Sequence, residues 1–508
     1  MISLVEAFRK AAARYSARPA VIDGHVPLSY AELDTMSDHV AHMLQTHGVI
    51  KGDRVAISCP NSPEFVIVYL AILKTGGVVV PVNLLLSAPE VQHVLEDAGV
   101  VVWFCHTNFA ASVQQIQPQL PLLRHVQMIC PEGGQDWKIW LQAGQETEPV
   151  TPDLDPDQDL AAILYTSGTT GKSKGAMLSH ANLLANVASV TIAMQWRSGE
   201  DRVLLVLPMF HAFAATVGLL TPLLNGCAIV SMSRFEPETV AERIRAAAAT
   251  VFLGVPSMYI LLLRLRPDMT DALRGLRLCV SGGAAMPVAV LEAFRQRFGL
   301  TVHEGDGPTE CGPVTCVNPV GGLIKPGTVG LPVPGVEMRI VAEDGRTLPL
   351  GEVGEVAVRS ASVFKGYWRQ PEATRASFQD GWFLTGDLGT EDQDGYFSLV
   401  DRKKDLIIVN GMNVYPRVIE EVIYRHPAVV EVAVVGEPDD LHGELPVAHV
   451  VLSSPLTEAE LKSWCKASLG RHEIPRRVYI RDQLPKNAAG KLLKRELRRA
   501  GEVERGVV

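Results

Sequence analysis

The sequence lacks the features that mark exported or membrane-spanning proteins. No stretch offers 18 clean apolar residues, and the nearest, residues 215–232, contains Thr221, Pro222 and Asn225. These interruptions favour a buried core segment over a membrane span. The first 20 residues have no basic region followed by an apolar run, and their pattern is that of an amphipathic helix. We therefore expect a cytoplasmic protein without a transmembrane segment; peripheral contact with a membrane stays open.

Cysteine and basic charge are also scarce. The eight cysteines are scattered without a CxxC pair, and the closest two, Cys311 and Cys316, have no histidines at metal-ligand spacing. Reduced thiols of a cytosolic protein are the better interpretation. The 47 Lys and Arg residues against 56 Asp and Glu give a net charge of −9. This balance argues against nucleic acid as a partner, although small anionic ligands remain allowed.

The length of 508 residues exceeds what one hydrophobic core usually serves, so we expect at least two domains. Up to about residue 325, short apolar strands alternate with helical patterns, which predicts parallel α/β subdomains. Between about 325 and 400, short strands separated by Gly and Pro turns indicate a small antiparallel or barrel-like unit. An α+β pattern follows the charged run Asp401–Asp405. We place the boundary there, with a large N-terminal domain 1–400 and a smaller C-terminal domain 401–508.

The strongest local signal is Tyr165-Thr-Ser-Gly-Thr-Thr-Gly-Lys-Ser-Lys-Gly175, which follows an apolar strand. Glycines allow backbone N–H groups to approach a polyphosphate, hydroxyls add donors, and a lysine neutralises charge. The loop is not a Walker A motif, because only two residues separate Gly168 from Gly171 where that motif needs four before Gly-Lys-Ser. A phosphate-binding loop is therefore predicted.

This loop resembles the signature of the adenylate-forming (ANL) superfamily, which includes acyl-CoA synthetases, aryl-CoA ligases, luciferases and peptide-synthetase adenylation domains. Six further segments resemble the motifs of that superfamily in its order: Pro208-Met-Phe-His211, Ser281-Gly-Gly-Ala284, Gly307-Pro-Thr-Glu310, Gly381-Trp-Phe-Leu-Thr-Gly-Asp387, Asp401-Arg-Lys-Lys-Asp405 and Pro485-Lys-Asn-Ala-Ala-Gly-Lys491. The resemblance covers nearly the whole chain.

The resemblance implies two steps and three small-molecule partners. A carboxylate attacks the α-phosphorus of ATP with Mg²⁺ present, and a thiol, by default coenzyme A, then takes the acyl group. The implied catalytic residues are Lys491, Thr309, Glu310 and His211, with Glu310 as the metal ligand. The implied cofactor-binding residues are Thr166, Ser167, Gly168, Thr169, Thr170, Gly171, Lys174, Gly282, Gly283, Ala284, Asp306, Gly307, Thr309, Asp387, Arg402, Lys404 and Gly411.

Within this set, the residue types suit their implied tasks. A carboxylate such as Asp387 can accept from both ribose hydroxyls, Arg402 can add a donor, and Mg²⁺ takes one or two protein carboxylates together with phosphate oxygens. Lys491 would bridge the acyl carboxylate and the phosphate, and Lys404 would be the pivot of a domain rotation. One position departs from the family: Asp306 stands where an aromatic usually faces adenine, and a carboxylate cannot stack on a base.

The residues that follow Phe210 bear on the identity of the acid substrate. No carboxylate follows Phe210 in His211-Ala-Phe-Ala-Ala-Thr, where amino-acid-activating relatives place an aspartate, so an amino acid is disfavoured. The apolar residues there suit an alkyl chain, and we expect Gly307 and Gly218 to leave room for its tail. We predict a medium- or long-chain fatty acyl-CoA synthetase. The alternatives are an aryl-CoA ligase for benzoate- or coumarate-like acids and a non-catalytic acyl or nucleotide sensor. Either a monomer or a homodimer is compatible with the sequence.

Overall fold

The computed structural model describes residues 2–24, 27–129, 135–142, 149–150, 152–166, 173–439, 441–486 and 492–498. Its α-helices are α1 Leu4–Arg14, α2 Tyr30–Thr46, α3 Pro63–Lys74, α4 Ala88–Ala98, α5 Ala110–Ile116, α6 Gln135–Gln142, α7 His180–Ala193, α8 Thr221–Leu224, α9 Pro237–Ala246, α10 Pro256–Leu262, α11 Val288–Phe298, α12 Pro371–Ala376, α13 Pro416–Tyr424 and α14 Glu458–Lys466. Short 3₁₀ turns cover Thr107–Phe109, Gln117–Gln119, Pro267–Leu273 and Thr309–Cys311, and a π-helical segment covers Ala214–Leu220.

The strands are β1 Pro19–Ile22, β2 Leu28–Ser29, β3 Arg54–Ser58, β4 Val78–Pro81, β5 Val100–His106, β6 His125–Ile129, β7 Leu160–Thr166, β8 Lys174–Ser179, β9 Arg202–Leu205, β10 Ala228–Ser231, β11 Val251–Gly254, β12 Leu278–Ser281, β13 Val302–Asp306, β14 Cys316–Val317, β15 Leu331–Pro332, β16 Val336–Val341, β17 Gly354–Ser360, β18 Phe378–Gln379, β19 Trp382–Glu391, β20 Phe397–Arg402, β21 Ile407–Val409, β22 Met412–Val414, β23 Val429–Asp439, β24 Gly443–Leu452 and β25 Arg477–Ile480.

Two largely parallel sheets form the N-terminal α/β part. One has the order β15-β14-β13-β12-β11-β9-β10-β1-β2, and the other β6-β5-β3-β4-β7-β8. Strands β4, β10, β11 and β12 are buried along their whole length. Burial on both faces explains their continuous apolar sequences, because helices cover both sides of a parallel sheet. The predicted α/β class is confirmed, and the apolar run 215–232 lies in this core.

Local signals fix where the helices start. Ser62 accepts a hydrogen bond from the N–H of Phe65 ahead of α3, and Pro63 occupies the first helical position. Capping boxes open α1 at Ser3, α2 at Ser29 and α14 at Thr457. Strands β12 and β13 are parallel neighbours, so the loops that follow them lie at the same edge of the larger sheet.

Two smaller sheets complete the fold. Strands β16-β17-β19-β18, with β20 beside β19, are antiparallel, as predicted for residues 325–400. The C-terminal sheet has the order β22-β21-β24-β23, with β25 parallel to β24. Strand β20 extends to Arg402, so the first two residues of the predicted C-terminal domain still pair with β19.

Within the described ranges, no helix combines the length and apolar character needed to cross a membrane. Seven cysteines lie in those ranges, and all are free and buried: Cys59, Cys105, Cys227, Cys279, Cys311, Cys316 and Cys465.

Candidate active site

A cavity of about 470 Å³ lies between the loops of the larger sheet and the C-terminal segment. It gathers six of the residues singled out in the sequence: Gly283, Ala284, Asp306, Asp387, Arg402 and Lys404. They come from four separate motifs and meet because β12, β13, β19 and β20 all end or bend at this place. A cavity of this size lined by such groups suits a nucleotide.

Asp387 and Arg402 are cross-strand partners in β19 and β20. The Nε of Arg402 lies 3.1 Å from Oδ1 of Asp387, whose side chain is only 10% exposed. Partial burial acts against the charge of Arg402, but Asp387, Asp306 and other carboxylates raise its pKa above the ordinary value. The pair offers acceptor oxygens and guanidinium donors together, as two neighbouring ribose hydroxyls require.

The predicted phosphate loop is described only at its ends. Thr166 ends β7 and pairs in register with Lys174, which begins β8. Ser167, Gly168, Thr169, Thr170 and Gly171 lie outside the described residues. The Nζ of Lys174 lies 5.0 Å from the ring centroid of Tyr367, a cation–π contact.

Tyr367 also holds the predicted metal ligand. Its hydroxyl donates a 2.8 Å hydrogen bond to Oε1 of Glu310, which lies in the 3₁₀ turn Thr309–Cys311. Burial raises the pKa of Glu310, whereas the hydrogen bond from Tyr367 and the charge of Arg402 oppose the rise. Burial and the charge of Glu310 raise the pKa of Tyr367, so this phenol stays protonated and donates.

Magnesium fits this arrangement as a partner of ATP. No group of three or more His, Cys, Asp or Glu side chains within the described ranges could hold a metal. Mg²⁺ commonly needs only one or two protein carboxylates because phosphate oxygens and waters complete its octahedron. Glu310, which accepts the hydrogen bond from Tyr367, would supply such a carboxylate, and the metal would neutralise charge on the phosphates.

The apolar segment predicted to border the acid contacts the loop after β12 at Phe213 and Gly282. A Cβ added to Gly282 would lie 3.3 Å from the Phe213 ring, so this glycine lets the loop after β12 contact the segment that follows His211. Nδ1 of His211 accepts a 3.4 Å hydrogen bond from the N–H of Phe213. The segment continues into the π-helix Ala214–Leu220, a distortion frequent at functional sites.

The expectation that two glycines leave room for an acyl tail is wrong. A Cβ on Gly307 would lie 1.9 Å from the carbonyl oxygen of Pro313, and one on Gly218 would lie 2.4 Å from a methyl of Leu205. Protein atoms already fill the space beside both positions. These glycines allow close packing of the backbone and do not widen a pocket.

Other predicted residues fall outside the cavity or outside the described chain. Gly411 sits in the turn between β21 and β22, with φ +77° and open space where a Cβ would point, and it does not line the cavity. Lys491 lies outside the described residues. The nearest described residues on either side, Lys486 and Leu492, form an antiparallel bridge, and both line the cavity. Burial, aided by Arg402, lowers the pKa of Lys404.

Sequence reasoning missed Tyr367 and Arg417. Tyr367 lies in Phe364-Lys-Gly-Tyr367, a segment whose backbone pairs with β8: Met177 N–H donates to the Gly366 carbonyl at 3.0 Å. Arg417 follows a tyrosine and a proline and resembles an ordinary helix-surface residue in the sequence. The only available signal for either was its position next to a turn or a helix start.

The chain is similar to protein families and solved structures of known function. A family described as AMP-binding enzyme matches residues 8–368, and the AMP-binding enzyme C-terminal domain matches residues 418–491. A long-chain-fatty-acid–CoA ligase of Escherichia coli O6:H1 is 34% identical over 528 residues, covering 98% of this chain and 94% of that protein. A feruloyl-CoA synthase of an Amycolatopsis species is 37% identical over 485 residues, covering 94% and 95%. The crystal structure of ATP-bound MatB from Rhodopseudomonas palustris has a TM-score of 0.91 at 34% identity, covering 98% of this chain and 99% of that one.

The first family match spans more than half of the chain, and the relatives span nearly all of it. With the cavity and the motifs around it, these matches identify the protein as a member of the AMP-binding, adenylate-forming enzymes and as an AMP-forming acid–CoA ligase that uses ATP, Mg²⁺ and coenzyme A.

Proposed function

We propose that the enzyme activates medium- or long-chain fatty acids and transfers the acyl group to coenzyme A. The observation that carries this proposal is the buried stretch after His211: residues 212–224 contain no charged side chain, and Ala214, Val217 and Leu219 are fully buried. An acid with a charged or amino substituent would leave that group unpaired there. Similarity to fatty-acid–CoA ligases adds independent support.

An aryl-CoA ligase is the second candidate. The similarity to a feruloyl-CoA synthase is as high as that to the fatty-acid ligases, and the Phe213 ring beside Gly282 offers a surface on which an aromatic acid can stack. A non-catalytic sensor is less favoured, because the chain keeps Glu310, Asp387 and Lys491.

The residues divide between the two steps. Lys491 and Thr309 would stabilise charge where the acid carboxylate meets the α-phosphate. Glu310 would hold Mg²⁺ against the phosphates, and the loop from Thr166 to Lys174 would bind the β- and γ-phosphates. His211 would border the acyl carboxylate.

The nucleotide's other parts would meet a second group of residues. Asp387 and Arg402 would bind the ribose, with Gly282, Gly283, Ala284 and Asp306 around the base. These roles come from the family motifs. Five of the residues, Gly283, Ala284, Asp306, Asp387 and Arg402, line the same cavity, which supports the proposal.

We further propose that residues 401–508 act as a mobile domain that turns about Lys404 between the steps. Adenylation needs Lys491 near the α-phosphate and water excluded, whereas thioester formation needs a path for the pantetheine arm, which would enter near Gly411. The Asn410-Gly411 turn, with both φ angles positive, presents an edge without a side chain at that point.

A cytoplasmic location is supported by the seven free, buried thiols. The predicted assembly is a monomer or a homodimer, which light scattering distinguishes.

The decisive experiment is a panel of acids from acetate to palmitate, together with benzoate and coumarate, assayed for AMP release with and without coenzyme A. For an alkyl site, kcat/KM should rise with chain length and then level. Each buried methylene should add about 0.8 kcal/mol of binding free energy to that rise. Benzoate or coumarate preferred over octanoate would favour the aryl alternative. No release with any acid would refute the ligase function.

A further inference from the structure

Arg417 sits where the chain passes into its C-terminal part, at the second position of α13. Its side chain is only 13% exposed. Nη1 donates a 2.7 Å hydrogen bond to the carbonyl oxygen of Leu399, and Nη2 lies 3.8 Å from Oε1 of Glu304. Its backbone N–H donates to Oδ2 of Asp401 at 3.0 Å. One residue thus contacts three residues in two earlier strands, β13 and β20.

All three partners precede Lys404, and Arg417 follows it. Glu304 belongs to β13, while Leu399 and Asp401 belong to β20. A rotation about Lys404 would separate Arg417 from Glu304 and from the Leu399 carbonyl. These contacts therefore exist in one orientation of the C-terminal part, the orientation in which Leu492 and Lys494 line the nucleotide cavity.

The positive charge of Arg417 stabilises the buried carboxylate of Glu304. It is 2% exposed; its Oε1 accepts a 2.9 Å hydrogen bond from the N–H of Met286, and its Oε2 has no hydrogen-bond partner among the described residues. Removing the partner of a buried charge usually costs more than the intact pair contributes, because the remaining group stays desolvated.

We propose that Arg417 is a positioning residue, which holds the C-terminal domain in the adenylation orientation through Glu304 and the Leu399 carbonyl. It acts through the domain and not on the reacting atoms. The inference rests on the proposed function only for the identity of the reaction step; the contact that defines the orientation is independent of the substrate.

The contact has a definite pH dependence. Burial raises the pKa of Glu304 to about 7, Arg417 acts in the opposite direction, and Glu421 on α13 and Asp306 on β13 raise it further. Protonation of Glu304 removes the negative charge that faces Arg417. The contribution of this ion pair to the held orientation is therefore present above a pH of about 7 and is lost as the pH falls below it.

The orientation of the C-terminal part relative to the N-terminal part can be measured by energy transfer between two fluorescent labels. Leu350 in the N-terminal part is 59% exposed and Leu441 in the C-terminal part is 86% exposed, so Leu350→Cys and Leu441→Cys provide accessible thiols. Arg417→Gln is then compared with Arg425→Gln, an exposed arginine at the end of the same helix. Two half-reactions are measured on the same variants. One is pyrophosphate exchange with octanoate, and the other is thioester formation from supplied octanoyl-AMP.

We expect Arg417→Gln to shift the transfer distribution away from the wild-type orientation and to lower exchange on the order of tenfold, with thioester formation much less affected. The pH dependence of the transfer, between about 6 and about 8.5, should disappear in Glu304→Gln. Arg425→Gln should match the wild type. An unchanged transfer distribution in Arg417→Gln, or an equal loss of both half-reactions, would overturn the proposal.

If Arg417→Gln does not fold, Arg417→Lys carries the test. Lysine keeps the positive charge but lacks the guanidinium group that reaches two acceptors. We therefore expect a shift of the transfer distribution between those of the wild type and Arg417→Gln. Wild-type behaviour in both readouts would refute the role. Wild-type enzyme without acid-dependent exchange would instead refute the proposed function, while the energy-transfer result would still decide the role of Arg417.

Discussion

The hydroxyl of Tyr367 donates a 2.8 Å hydrogen bond to Oε1 of Glu310. The Nζ of Lys174 lies 5.0 Å from the centroid of the same Tyr367 ring. One phenol thereby orients a proposed magnesium ligand and a proposed phosphate-binding lysine, although the two belong to motifs far apart in the chain.

Tyr367→Phe should lower pyrophosphate exchange on the order of tenfold and raise the Mg²⁺ concentration needed, because it removes a hydrogen bond to a buried carboxylate but keeps the ring. The titration of exchange against Mg²⁺ measures this, with calorimetry of ATP binding with and without Mg²⁺ as a second readout. Tyr396→Phe is the matched control: its hydroxyl donates to the Leu323 carbonyl at 2.6 Å and its ring lies 4.5 Å from Lys325, outside the cavity. An unchanged Mg²⁺ requirement in Tyr367→Phe would contradict the role.

Lys491→Ala should lower adenylation by about 10²-fold or more, because a preorganised charge at the reaction centre is lost. Thioester formation from supplied acyl-adenylate should survive better. The exposed Lys466 on α14 gives the control variant Lys466→Ala, expected to behave as the wild type. Parallel loss of both half-reactions would rule out a role limited to the first step.

Asp387→Ala should mainly raise KM for ATP, because its contacts to the ribose would exist in the ground and transition states alike. Steady-state kinetics with varied ATP separates KM from kcat. Glu337 provides the comparison: it pairs with Arg359 at 2.6 Å on the same antiparallel sheet but is exposed, so Glu337→Ala should change neither constant. A fall in kcat alone for Asp387→Ala would argue against ribose binding.

Lys404→Pro should impair thioester formation much more than adenylation, because proline fixes φ near about −65° and restricts a backbone pivot. Lys404→Ala removes the same charge without the restriction and separates the two effects. If neither half-reaction responds to proline, or both respond equally, the pivot lies elsewhere.

Gly307→Ala should destabilise the fold by about 1–3 kcal/mol or more, because a Cβ would overlap the Pro313 carbonyl. Thermal unfolding measures this. Gly275→Ala is the control, since a Cβ there would make an ordinary 3.4 Å contact with the Ala249 carbonyl. A stable Gly307→Ala enzyme with an altered chain-length preference would show instead that Gly307 lines the acyl pocket.

Local sequence signals predicted much of the architecture. The alternation of short apolar strands with helical patterns predicted the α/β part, and the short strands with Gly and Pro turns between about 325 and 400 predicted the antiparallel sheet. Six cofactor residues were also predicted and share the cavity, because motif order fixes which strand ends meet.

Contacts between distant segments could not be predicted in the same way. Tyr367 and Arg417 carry no local pattern that specifies Glu310 or Glu304 as partners, because sheet pairing decides those contacts. Gly307 and Gly218 were misread for a related reason: a sequence shows that a side chain is missing, but not whether open space or another backbone lies beside it.

The pairing of β8 with residues 365–368 has a consequence for synthesis of the protein. β8 is the outer strand of the six-stranded sheet, and the backbone bonds from Trp368 N–H to the Gly175 carbonyl and from Met177 N–H to the Gly366 carbonyl cover its free edge. A growing chain finishes β8 long before it reaches Gly366, so this edge stays open while the intervening residues are made. Unpaired edges recruit other strands. Chain fragments that end before this segment should therefore aggregate during translation, whereas fragments that include it should not.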